Sequence, residues 1–213
     1  MYQSKRKHSI TQSQLVALIT LLLAFTFAHL PVSAQTSDPA INIDRFGEVN
    51  EHYFRGSQPD EGEFIQLKNR GIKTIIDLRK DREKEAEGWA KAQGLQYINI
   101  PLTTRRPASE EQTAHFLELV NNPENWPVYV HCKGGRHRTG EMTAIYRITE
   151  DGWTADRAYE EMKDYDFKNN IFYPRALKKY VFSFYEDYVA EQQAKAAETS
   201  SGSGQVQLGS QPK

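Results

Sequence analysis

One cysteine occurs in 213 residues, and it stands in the segment Val130–Gly140, VHCKGGRHRTG. Cys132 follows an apolar run and precedes Gly134 and Gly135, with Lys133, Arg136, His137 and Arg138 interleaved and Thr139 near the end. Two glycines let a backbone curl with its amides facing inward, as an anion cradle requires. Where such a loop leaves a strand and enters a helix, free N–H groups and the positive end of the helix dipole face the same point. A thiol in that field ionises more readily than a free one. A thiolate beneath a bound phosphate is an in-line nucleophile, so the chemistry indicated is phosphoryl transfer through a phosphocysteine that water then hydrolyses. The guanidinium of Arg138 is spaced to grip two phosphate oxygens and to follow the charge into the transition state. The Thr139 hydroxyl is spaced to hydrogen-bond the sulfur and ease its departure. His131 closes the apolar strand and reads as a support of the loop rather than as a base. Lys133, Gly134, Gly135, Arg136 and His137 are then the phosphate-binding residues. Their basic members either hold further phosphates of one substrate or only help to ionise Cys132.

Positioning this loop takes alternating strands and helices. HYFRG, IKTIIDL, LQYINI and WPVYVH read as strands from their β-branched and aromatic runs, the third broken by Pro101. Helices are predicted over residues 60–70, which Gly71 ends, and from an Asp81 cap to Gln93, which Gly94 ends. A capping box of Ser109 and Gln112 opens another that reaches Asn121. Three more cover residues 138–151, 154–162 and 174–193. The fold class expected is α/β, a mostly parallel central sheet flanked by helices. In such sheets ligands sit at the carboxyl ends of the strands, where Cys132 falls.

The ends of the chain read differently. Lys5, Arg6 and Lys7 precede the apolar run Leu15–Leu30, and PVSA closes at Ala34. That order predicts a signal peptide over residues 1–34 and a periplasmic or secreted mature protein. Cleavage would remove three positive charges and move the net charge from −1 to −4. Residues 35–40 read as a linker, 41–189 as the folded domain, and 190–213, small and polar, as a disordered tail. A net charge of −1 gives no reason to expect nucleic-acid binding, and no stable membrane association is expected after cleavage. Six scattered histidines without recurring ligand spacing indicate no metal site, and no cofactor is called for.

The segment His131, Cys132, five residues, Arg138 and Thr139 resembles the Cys-based phosphatase signature His-Cys-x5-Arg-Ser/Thr. YFRGSQP and IIDLR resemble the entry segment and first core strand of dual-specificity phosphatases. The nearest subgroup is the plant-and-fungi atypical dual-specificity phosphatases, whose loop has the form His-Cys-Lys-x-Gly-Lys-x-Arg-Thr-Gly, with Lys133 and Arg136 at the matching basic sites. The resemblance implies a compact dual-specificity phosphatase fold and a phosphatase with a cysteine nucleophile. It also implies an anionic phosphorylated small molecule as substrate, since members of the subgroup act on inositol pyrophosphates.

One departure stands out. The family supplies an Asp from the loop after INIP, where this chain has Thr103 and Thr104. Glu110, Glu111, Asp164 and Asp166 are nearby acids with ordinary explanations as helix-end and loop charges, so the general acid is unassigned. Arg105 and Arg106 are substrate contacts or solvated charges. Two other readings stay open: a dual-specificity or tyrosine protein phosphatase acting on phosphoproteins, and a catalytically weak phosphate-binding module.

Overall fold

The computed structural model describes residues 41–81, 84–168 and 175–203. The expected signal peptide, the linker and the last ten residues of the tail lie outside these. No helix among the described residues is long and apolar enough to cross a membrane.

Five strands form one sheet in the order β1-β2-β5-β3-β4: β1 Gly47–Asn50, β2 Tyr53–Ser57, β3 Thr74–Arg79, β4 Gln96–Leu102 and β5 Val128–Cys132. Only the β1–β2 pair is antiparallel. The mostly parallel sheet of the sequence reading is therefore observed, with β1 an addition that four polar-flanked residues did not signal. β2, β3 and β5 are buried along their whole length, and the Ile75–Ile76 and Val128–Val130 segments of β3 and β5 are apolar accordingly. β4 is an edge strand and passes through Pro101 without breaking, because an edge position leaves room for a residue that donates no ladder bond.

Helices α1 (Glu61–Asn69), α2 (Ala86–Ala92), α3 (Glu110–Asn121), α4 (Arg138–Thr149), α5 (Ala155–Asp164) and α6 (Arg175–Ser203) complete the chain order. Phe64 and Leu67 of α1 and Ala86 and Ala90 of α2 join Ile75 and Tyr129 in one core. Phe116 and Val120 of α3 and Met142 and Tyr146 of α4 join Ile76, Val128 and Val130 in another. A third core ties α4 to α5 and α6 through Ala144, Ile148, Ala158, Met162, Leu177 and Val181. Helix α4 is thus covered almost all round, and every residue from Arg138 to Tyr146 is buried.

Two expected boundaries differ. Asp81 does not cap α2, which begins at Ala86 without a side-chain cap; the Asp81 carboxylate instead lies 3.9 Å from Arg138. Helix α6 runs on to Ser203, into the stretch predicted to be disordered. Its extension, AKAAE, consists of strong helix formers, and Lys195 pairs with Glu191 one turn back at 2.6 Å. The expected box of Ser109 and Gln112 opens α3, and Asp60 and Glu63 form a second reciprocal box at α1 that the sequence reading does not single out.

Candidate active site

Ser57 pairs with Cys132 across the β2–β5 ladder and Asp77 with His131 across β3–β5, so the ends of three parallel strands converge on one loop. The loop joins β5 to α4. A cleft of about 480 Å³ opens over it, lined by Asp44, Arg45, Ser57, Thr104, Cys132, Lys133, Gly134, Arg136, His137 and Arg138. The predicted phosphate-binding residues therefore share one concavity except for the buried Gly135, and of the predicted catalytic residues Cys132 and Arg138 line it while Thr139 is buried beside them.

The shape of the loop is imposed from outside. Three successive carbonyls are held by donors from elsewhere in the chain: Lys133 O accepts from the Gln58 N–H at 3.3 Å, Gly134 O from Arg45 Nη1 at 3.3 Å, and Gly135 O from Arg55 Nη2 at 3.2 Å. A planar trans peptide turns its N–H opposite to its C=O. Holding these oxygens therefore fixes the directions of the Gly134, Gly135 and Arg136 amides. Gly135 makes the bend at φ 65°, and a Cβ there would lie 2.6 Å from the Gly56 carbonyl carbon and 2.8 Å from Ser57 N. Gly135→Ala should lower Tm by about 5 °C or more, through left-handed strain and a clash with buried backbone. Gly134→Ala should do neither, since a Cβ at Gly134 meets only the Arg136 side chain at 3.6 Å. Thermal melts of the two variants make the comparison.

Cys132 is buried at 3% exposure. Burial pushes its thiol up, but the Thr139 hydroxyl, the Arg138 guanidinium and the Thr139 and Gly134 amides outweigh it, and the thiol ends below its ordinary range. The buried Thr139 hydroxyl, without another partner among the described residues, acts first among these groups on the sulfur. Arg138 is 7% exposed, and its Nη1 makes a long 3.4 Å bond to Leu102 O. Its Nε is buried without a partner, a donor held ready for an anion.

His131 is fully buried, its Nδ1 3.9 Å from Asp77. Burial drives its pKa down to about 4, with the Asp77 carboxylate opposing, so the ring is neutral. Asp77 is in turn fastened by Arg79, at 2.8 Å, and by the Tyr97 hydroxyl, at 2.5 Å. The IIDLR segment thus forms the polar base of the loop. His137 is pushed below its ordinary pKa, first by burial, and meets the Phe167 ring edge-on at 5.2 Å. It lines the cleft as a neutral ring, which leaves Lys133 and Arg136 as the extra cations of the loop itself.

The acids weighed for the general acid keep the ordinary places expected of them: Glu110 and Glu111 stand in the first turn of α3 and Asp164 closes α5. The loop over the cleft presents Thr104, while Arg106 lines a separate depression beside Lys80. Glu110 faces a groove between α3 and α6, and Asp166 is bonded to Arg45. Asp44, in the cleft, and Asp81, beside Arg138, are the carboxylates that come near.

Arg45, Arg55 and Glu141 have roles the sequence reading missed. Arg55 announces itself only as a charge inside an otherwise apolar strand. Glu141, buried one turn after Arg138, accepts from the Ala108 N–H at 3.1 Å and so fastens the end of the loop that carries Thr104. Burial raises its pKa to about 8, against the Ala108 bond. Protonated Glu141 stabilises the fold fully below its unfolded pKa of about 4.3, and this contribution is lost as pH rises to about 8. Glu141→Gln should match the parent at about pH 4 and gain on it steadily up to about pH 8, read from urea midpoints. Parallel curves would contradict this assignment.

A buried thiol below an amide-lined loop, with an arginine at the first turn of the following helix, is the architecture of cysteine-loop phosphatases. A family model described as DSP-PTPase phosphatase fused to NAD+ kinase matches residues 25–176, and the chain belongs to that family. Among its relatives, the dual specificity protein phosphatase TpbA of Pseudomonas aeruginosa is 29% identical over 133 residues, 62% of this chain and 58% of the relative. The inositol diphosphatase SIW14 of Saccharomyces cerevisiae is 25% identical over 150 residues, 68% of this chain and 52% of the relative. The chain thus spans less than three-fifths of the length of either. The solved catalytic core of SIW14 superposes with a TM-score of 0.60 at 23% identity, covering 73% of this chain and 94% of that one. That likeness concerns the fold.

Proposed function

We propose that the protein is an exported cysteine-dependent phosphatase that hydrolyses polyphosphorylated substrates, inositol polyphosphates or pyrophosphates, through a phosphocysteine. The observation that carries the reaction is that Cys132 and Arg138 line one cleft with a loop whose three carbonyls are held away by Gln58, Arg45 and Arg55. In the proposed sequence the sulfur attacks phosphorus in line, Arg138 and the loop amides take the equatorial oxygens, and the leaving oxygen departs on the opposite side. Water then attacks the phosphocysteine, and the Thr139 hydroxyl stabilises the thiolate that leaves.

Three features favour a polyanionic substrate. Lys133 and Arg136 line the cleft beyond Arg138, more cations than one phosphate needs. Thr104 stands where the family's general acid is expected. A phosphoanhydride releases a weakly basic phosphate and depends little on such an acid, which otherwise contributes about 10²–10⁴-fold. Similarity to SIW14, named an inositol diphosphatase, points the same way. Export rests on residues 1–34 alone and is tested by N-terminal sequencing of the mature protein, expected to begin at Gln35.

A second reading, a protein phosphatase acting on phosphotyrosine, is favoured by similarity to TpbA, solved in complex with phosphotyrosine. Phosphate release from phytate, an inositol pyrophosphate and a phosphotyrosine peptide separates the two by kcat/KM. The expected result is at least about tenfold preference for the inositol substrates, a difference one extra charge-assisted contact supplies. The reverse preference would establish the second reading, and tight binding without turnover would make the chain a phosphate-binding module.

A further inference from the structure

The four residues after helix α5, Tyr165–Lys168, each meet the cysteine loop or one of the arginines that hold it. Tyr165 packs its ring against the Arg55 guanidinium at 3.8 Å, and Arg55 holds Gly135 O. The Asp166 carboxylate accepts from Arg45 Nε at 2.9 Å, and Arg45 holds Gly134 O. Phe167 meets the His137 ring, and the Lys168 backbone hydrogen-bonds that ring. Together they form a strap across the loop.

Within the strap, Asp166 and Arg45 are distinctive. They are the two non-glycine residues with positive φ among the described residues, at 61° and 56°, and they are bonded to each other across 121 positions of sequence. Left-handed backbone disfavours any residue with a Cβ, and glycine would adopt it freely. Both positions nonetheless carry charged side chains, and those side chains make one bridge that ends on a carbonyl of the cysteine loop. Strain of this kind gathers where surrounding structure holds a functional element in place.

We propose that Asp166 is a positioning residue for the reaction: it orients Arg45, which holds the Gly134 carbonyl and thereby fixes the Gly135 amide of the phosphate cradle. Asp166, considered above for the general acid, acts instead through Arg45. The inference rests on the reading of Cys132 as the nucleophile, and its test separates the two.

Asp166→Asn, Asp166→Gly, Arg45→Met and the double variant Asp166→Asn with Arg45→Met are compared with the parent. The readouts are kcat and KM on p-nitrophenyl phosphate, the rate of Cys132 alkylation by iodoacetate across pH, and Tm. Each single change should lower kcat by at least about tenfold with KM within about threefold, and the double should fall no more than about twofold below the worse single, because both break one bridge. Alkylation at neutral pH should slow in step, while Arg138, Arg55, Tyr129 and Thr139, the other side chains acting on the sulfur, are untouched. Asp166→Gly removes the bridge and relieves the backbone, so its Tm should hold within a few degrees while kcat falls; a merely structural role would move the two together. This variant decides the matter if Asp166→Asn does not fold.

The proposal is overturned if Asp166→Gly keeps kcat within about twofold, if only KM rises, or if the two losses multiply. A change in KM alone would make Arg45 a substrate contact rather than a support. Should the parent turn over no phosphate ester, the proposed activity fails by itself. The alkylation profiles then decide the strap: unchanged profiles overturn it and slowed ones sustain it.

Discussion

Cys132→Ser should abolish turnover, with kcat at least about 10³-fold below the parent, because a serine hydroxyl does not ionise in the field that ionises the thiol. The change removes one polarizable atom from a site whose shape is set elsewhere. Gln58, Arg45 and Arg55 still hold the three loop carbonyls, and Arg138 still faces the cleft. Phosphate or vanadate should therefore bind the variant, and its Tm should stay near the parent's. Loss of turnover with retained binding separates the sulfur as a nucleophile from the loop as a cradle. Steady phosphate release by the variant, freed of metal, would place the nucleophile elsewhere.

Arg138→Lys carries the second-largest expected effect. Lysine keeps the charge but loses the planar fork that meets two phosphate oxygens at once. Arg138 is buried in the first turn of α4 and has one Nη1 bond to Leu102 O and an unpartnered Nε, so its donors are available to an anion. Loss of one transition-state donor costs about 10²–10³-fold in kcat. Arg138 also ranks among the groups that hold the Cys132 thiol down, so part of the loss should appear as slower alkylation at neutral pH. The ratio of the two effects, read from stopped-flow kinetics and alkylation rates, divides the arginine's role between activating the sulfur and stabilising the transition state. A kcat within about fivefold of the parent would show that a point charge at this position serves as well as the planar fork.

The cysteine loop was legible because its determinants are adjacent in sequence. Cys132, Gly135, Arg138 and Thr139 lie within one strand-to-helix turn, and the strand before and the helix after are marked by their own apolar patterns. The core strands were legible for the same reason. What the sequence did not disclose is held by distant pairs. Arg45 joins Asp166 over 121 positions, Arg55 reaches Gly135 over 80, and Glu141 reaches Ala108 over 33. Nothing local marks such a pair: Arg45 sits in an ordinary polar segment, and Glu141 lies on a helix with no polar face left to solvent. Asp81 reads as a cap because a carboxylate before a helix is an everyday one, and nothing local marks that it lies 3.9 Å from Arg138. The length of α6 was misread because its polar, alanine-rich end satisfies helix propensity while burying nothing.

The most direct measurement of the central claim is acid quenching in the first turnover of a phosphorylated substrate, followed by mass spectrometry of the peptide that contains Cys132. That peptide should gain the mass of one phosphoryl group in the parent, and for longer in a variant with slowed hydrolysis. Full turnover with that peptide never modified, and the sulfur still open to alkylation while phosphate is released, would contradict it.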